Sequence, residues 1–157
     1  MSFEVPTPAR MRALGVGLAD LLLPGDLLVL TGDLGAGKTL LTQGIGAGLG
    51  VRAPVLSPTF VIARVHGDGR IPLVHVDAYR LGGLAEIDDL DLDASLEDSV
   101  TVVEWGEGLV ENLADARLAV HIARAVDSEV RTVSTTPYGR SWSSRAEQVR
   151  LLGESQR

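Results

Sequence analysis

The first regular pattern along the chain is helical. Met11, Leu14, Leu18, Leu21 and Leu22 are apolar at the spacing that puts side chains on one face of a helix. Thr7-Pro8 ahead of them supplies an N-cap and a proline at the first helical position. Pro24-Gly25 stops the run. Residues 26–31 (DLLVLT) are a short apolar run, which predicts a buried strand. Residues 32–37 are a glycine-rich turn, and residues 38 to about 49 read as a helix ending at Gly50. The order is strand, glycine loop, helix.

Two strand-like segments follow, residues 59–66 and 71–77, joined by the turn signal Gly67-Asp68-Gly69-Arg70. They predict a β-hairpin. Residues 81 to about 91 read as a short acidic helix, followed by an exposed acidic loop. Residues 99–104 (SVTVVE) predict another buried strand. Residues 117–123 and 130–135 predict a second hairpin turning at Asp127-Ser128. Trp142, Ala146, Val149 and Leu152 mark a final amphipathic helix. No repeat, linker or low-complexity tract interrupts the series. The expected architecture is α/β: a single domain over residues 1–157, its mixed parallel and antiparallel sheet flanked by helices, with residues 137–157 as a tail or helix.

Composition narrows the function. At 157 residues, 45% hydrophobic and 22% charged, the chain has the makeup of one globular domain. Its formal charge of −7 weighs against a surface whose main task is gripping nucleic acid, because such binding neutralises phosphates with Lys and Arg. The absence of cysteine excludes disulfides, thiolate metal sites and cysteine nucleophiles. No apolar run approaches the ~18 residues of a membrane span, and the first residues lack the basic-then-apolar pattern of a signal peptide. A cytoplasmic protein is expected. Lys38 is the single lysine; the other thirteen basic residues are arginine. Ammonium and guanidinium are not interchangeable, so a lone lysine is either a position where arginine does not serve or the leftover of codon bias, and its surroundings decide between them.

That lysine lies in Gly32-Asp33-Leu34-Gly35-Ala36-Gly37-Lys38-Thr39, a complete G-x-x-x-x-G-K-[ST] phosphate loop between a buried strand and a helix. Its glycines let backbone N–H groups crowd around phosphate oxygens, and the helix N-terminus adds partial positive charge. Leu40 continues that first turn. Lys38 is expected to reach the β- and γ-phosphates, and Thr39 to offer its hydroxyl to Mg²⁺. The N-K-x-D motif that reads guanine needs a second lysine, so ATP is favoured over GTP.

A phosphate loop also needs an acidic residue at the end of a neighbouring strand. Asp77 and Glu104 each close one. Glu86, Asp88, Asp89, Asp91, Asp93, Glu97 and Asp98 form a dense acidic patch instead, read as a solvated face, with a docking surface as the alternative. His75 and Asp77 share one face of a strand, but a metal pair there lacks a third ligand nearby. Thr59, in Ser57-Pro58-Thr59-Phe60, is either a γ-phosphate sensor or part of a plain turn. Trp105 reads as a core aromatic in preference to a wall of the nucleotide pocket.

Four blocks, GDLGAGKT (32–39), SPTF (57–60), HVDAYR (75–80) and VEWGE (103–107), resemble in order and spacing the signatures of the TsaE (YjeE) family. These are P-loop ATPases of tRNA threonylcarbamoyladenosine biosynthesis. The resemblance runs from about residue 3 to about 135. It implies that Lys38 and Thr39 hold phosphate and Mg²⁺ and that Glu104 is the metal-side carboxylate. It puts Asp77 near the γ-phosphate and its water, Thr59 on a switch loop, and Trp105 on the pocket wall instead of in the core. The start of the first helix, near Thr7, would approach adenine. Many members carry Gly-Arg in the last hairpin, with the arginine toward the nucleotide; here either Arg131 or Arg124 would take that place. The implied partners are the proteins TsaD and TsaB, with tRNA met only through them and no membrane. A P-loop small-molecule kinase is the alternative. It needs an arginine-rich lid, whereas Arg52, Arg64, Arg70, Arg80, Arg117, Arg124 and Arg131 are scattered.

Overall fold

The opening helical stripe becomes α1 (Pro8–Ala19) in the computed structural model, which describes residues 1–56, 63–78, 96–105, 114 and 116–157. Thr7 caps α1, its hydroxyl accepting the Arg10 N–H at 3.2 Å. The apolar run becomes β2 (Leu27–Thr31), and the segment after the glycine loop becomes α2 (Lys38–Leu49), closed by Gly50 in the left-handed conformation. The first hairpin is β3 (Ala63–His66) with β4 (Leu73–Asp77), antiparallel. β5 (Val100–Glu104) follows. The second hairpin is β6 (Arg117–Arg124) with β7 (Arg131–Tyr138), and α3 (Gly139–Glu154) ends the fold. The Ser57-to-Phe60 block with Thr59, the rest of the first strand as read to 62, and the acidic helix read over 81–91 lie outside the described residues. Among the described residues no helix is long and apolar enough to cross a membrane.

Two differences from the sequence reading have physical causes. Ser2–Val5 is a strand, β1, which the pattern did not reveal. It carries only two inward apolar residues, Phe3 and Val5, and is a strand because it pairs with β7. Likewise β7 runs to Tyr138 through Pro137 and does not stop at 135. The Thr135 N–H points outward to Met1 O at 2.8 Å, and the N of Pro137, two residues on, faces the same side past the end of β1. A missing donor costs nothing at such an edge.

Together the strands form one mixed sheet in the order β1-β7-β6-β2-β5-β4-β3. β2 is parallel to both β5 and β6, and β4 is parallel to β5. The C-terminal ends of β2, β4 and β5 therefore emerge along one edge, the usual place for a ligand in an open α/β sheet. On one face Leu28, Leu30, Val102, Val120 and Ile122 join the helix residues Leu14, Leu41, Ile45 and Trp142 in the main core. Truncating one such side chain to alanine costs about 2–5 kcal/mol, a large part of a total stability of about 5–15 kcal/mol. Leu27, Val29, Val74, Val76 and Val103 form a second cluster on the opposite face.

Glycines let α1 and α2 touch backbone to backbone. A Cβ on Gly44 would lie 2.2 Å from Arg12 O, and one on Gly15 would lie 2.4 Å from Leu41 O. This close crossing brings the N-termini of α1 and α2 to the same cleft. At the other end of the chain, α3 is tied in by a bidentate ion pair from Arg145 to Asp26, next to the start of β2. The last 20 or so residues, read as a tail or helix, are thus part of the packed structure.

Candidate functional site

A cleft of about 620 Å³ opens where the glycine loop leaves β2. Its floor is the loop and first turn of α2, from Leu34 to Leu40. Thr7, Pro8 and Met11 of α1 line one side, Asp77, Glu104 and Trp105 another, and Glu129 and Arg131 a third. Every residue the sequence reading placed at the site from Leu34 onward meets here, apart from Thr59, which is outside the described residues. Gly32 and Asp33 form the approach to the loop, and their carbonyls hold Lys38.

The loop's shape depends on glycine at both ends. A Cβ on Gly32 would sit 2.3 Å from Ile122 O. Gly37 has φ 118°, a conformation that side chains disfavour. It is also the N-cap of α2 and provides no side-chain cap. The first N–H groups of α2 are therefore left for a ligand, and an anion suits them best.

Lys38 is buried and donates from Nζ to Gly32 O (2.7 Å) and Asp33 O (2.9 Å). Its ammonium lies 3.9 Å from the centre of the Trp105 ring. Burial lowers its pKa, and the carboxylates of Glu104, Asp33 and Asp77 oppose that shift. Next along the helix, Thr39 Oγ1 donates to Glu104 Oε1 at 3.1 Å. Asp77 and Glu104 are register partners at the ends of β4 and β5, so both carboxylates reach the cleft side by side. A hydroxyl and two carboxylates are hard oxygen donors. They fit a magnesium-type cation, which takes one or two carboxylates and completes its shell with water and phosphate. No cluster of three or more His, Cys, Asp or Glu suited to a metal occurs among the described residues.

Trp105 lines the cleft, so the preference for a core aromatic is corrected. Its backbone explains why. At φ 63° it is a bulky residue in the left-handed region, held there with its N–H on Leu30 O at 2.9 Å. Such strain is of order 1–3 kcal/mol and is concentrated at functional sites. The turn after β5 swings the ring away from the core and over Lys38. Of the two candidate arginines, Arg131 lines the cleft: Nε donates to Ala36 O and Nη1 to Ser128 O, both at 3.0 Å. The His75 ring approaches Glu104, with Nε2 3.2 Å from Oε1. Pro8 and Met11 read in the sequence only as helix residues and Glu129 carried no reading, because nothing local marks a residue as facing a cleft built from distant elements.

The family model for "Threonylcarbamoyl adenosine biosynthesis protein TsaE" matches residues 5–133. The chain belongs to the TsaE family. It is similar to the TsaE of Streptomyces coelicolor, 63% identical over 141 residues, covering 85% of this chain and 95% of that one. It is 38% identical over 150 residues to the TsaE of Bacillus subtilis, covering 95% and 93%. The crystal structure of Bacillus subtilis YdiB superimposes with a TM-score of 0.79 at 34% identity, covering 96% and 94%. As the family description states, TsaE proteins belong to threonylcarbamoyladenosine biosynthesis. The TsaE match takes in the glycine loop, both carboxylates and Arg131, and it ends within β7, before α3.

Proposed function

We propose that this TsaE protein is a magnesium-dependent ATPase that supports the TsaD–TsaB pair during threonylcarbamoyladenosine modification of tRNA. The observation that carries the reading is the contact of Thr39 Oγ1 with Glu104 Oε1 at 3.1 Å, beside a glycine loop whose lysine points into the same cleft. A phosphate-binding loop acquires this hydroxyl–carboxylate pair where a divalent cation accompanies the phosphates.

Each side chain then has a task. The N–H groups of the loop and of the first turn of α2 bind phosphate oxygens. Lys38 presents its ammonium to the β- and γ-phosphates while its two carbonyl contacts fix its direction. Thr39 and Glu104 would hold Mg²⁺, which would neutralise the negative charge of the phosphates. Asp77, next to Glu104, orients the attacking water. Arg131 braces the loop at Ala36 O and lends positive charge to the cleft. Thr7, Pro8 and Met11 offer the end of the cleft that suits the adenine ring. With a net charge of −7, the protein meets tRNA through its partners in the cytoplasm and not by itself.

The test is turnover of ATP by the isolated protein and with TsaD and TsaB added. Slow hydrolysis that rises with the pair, and no tRNA retention without it, is the expected result. Transfer of phosphate to a small metabolite in the absence of partners would favour a kinase instead.

A further inference from the structure

His75 has no task in that account, yet it is placed beside the site with care. It lies on β4 two residues before Asp77, on the same face. Across the sheet it pairs with Val102 while Asp77 pairs with Glu104, so its ring stands diagonally opposite Glu104. The ring is wholly buried. Its Nε2 comes within 3.2 Å of Glu104 Oε1 without the alignment of a hydrogen bond, and among the described residues neither ring nitrogen has a hydrogen-bond partner. Glu104 is buried too, and the same Oε1 accepts the Thr39 hydroxyl. A leucine would fill this space without burying an unsatisfied N–H, so packing alone does not account for the imidazole.

We propose that His75 is a positioning residue: its Nε2–H holds the Glu104 carboxylate, which holds the hydrogen of the Thr39 hydroxyl and so turns the lone pairs of Thr39 toward the cation. The inference rests on the nucleotide reading of the cleft. Groups one layer behind metal-binding side chains commonly act in this way, and their loss weakens metal binding about 10–100-fold.

Calorimetric titration with ATP, once with Mg²⁺ and once with a chelator, separates this role from general support. In His75→Leu the affinity in chelator stays at the wild-type value, while the gain brought by Mg²⁺ falls about tenfold or more. His75→Gln, whose amide reaches as Nε2 does, restores most of the gain. In a Glu104→Gln background His75→Leu has no further effect. An undiminished gain in His75→Leu, or a loss that glutamine fails to restore, overturns the proposal while leaving the ATPase reading intact. Wild-type protein that binds no ATP overturns both. If the leucine variant does not fold, spectra of ¹⁵N-histidine-labelled protein decide. The proposal requires the hydrogen on Nε2 and a shift of its resonance in Glu104→Gln; a hydrogen on Nδ1, or unmoved resonances, overturns it.

Discussion

Replacing Asp26 with alanine should unfold this protein far more readily than a change outside the cleft would suggest. Arg145 on α3 donates from Nη1 to Asp26 Oδ2 at 2.6 Å and from Nη2 to Oδ1 at 2.8 Å. Both side chains are about nine-tenths buried. Asp26 Oδ2 also accepts the Leu23 N–H at 2.8 Å, so the carboxylate joins the turn after α1, the start of β2 and the last helix. Asp26→Ala leaves the guanidinium on Leu21 O, Ser141 and the face of Trp142, without a counter-charge. Removing one partner of a buried pair costs about 3–5 kcal/mol. A chain of this length has an unfolding entropy near 0.33 kcal/mol/K, so Tm should fall by about 9–15 °C. Thermal unfolding followed by circular dichroism reads this directly. The double variant Asp26→Ala with Arg145→Met should lose less than the two singles together, because no charge is then stranded. A fall below about 3 °C, equivalent to about 1 kcal/mol, would refute the argument that α3 is locked by this pair.

Lys38→Ala should weaken ATP binding by about 1.5–3 kcal/mol, tenfold or more, since a charge-assisted phosphate contact is lost; unchanged affinity in calorimetry would remove the phosphate-loop reading. Asp77→Ala should keep ATP affinity but slow hydrolysis, whereas Glu104→Ala should blunt the Mg²⁺ dependence of binding. Affinity with and without Mg²⁺, set beside turnover, separates the two roles, and wild-type behaviour in both variants would show the assignment to be wrong. Burial, helped by His75 and Arg64 and opposed by Asp68, pulls the pKa of His66 below its ordinary 6.5. The unfolded chain then binds more protons just below that value, so this contribution to stability is complete above pH 6.5 and is lost as pH falls through the folded pKa. Urea unfolding between about pH 5 and 8 should show the slope reduced in His66→Gln; an identical slope would contradict it.

The parts of this protein legible in sequence are those whose cause is local. The glycine loop declares itself because each residue's task, turning the backbone or charging the loop, is performed within eight consecutive positions. α1 and β2 were likewise legible, since a stripe or a run of apolar residues carries its own period. Asp77 and Glu104 were recognisable singly as strand-ending carboxylates, but their meeting belongs to the register of β4 on β5. That same register brings His75 to a carboxylate 29 positions later, where spacing alone pointed to Asp77. β1 is a strand only because β7 accepts it, and Trp105 faces the cleft only because of one left-handed backbone angle. Arg131, not Arg124, touches the loop because it opens β7 where that strand passes Ala36. Asp26 and Arg145, 119 positions apart, form their pair only after α3 folds back. Hydrophobic period and loop chemistry act between near neighbours along the chain, whereas a site assembled from several strand ends depends on pairings that no segment specifies alone.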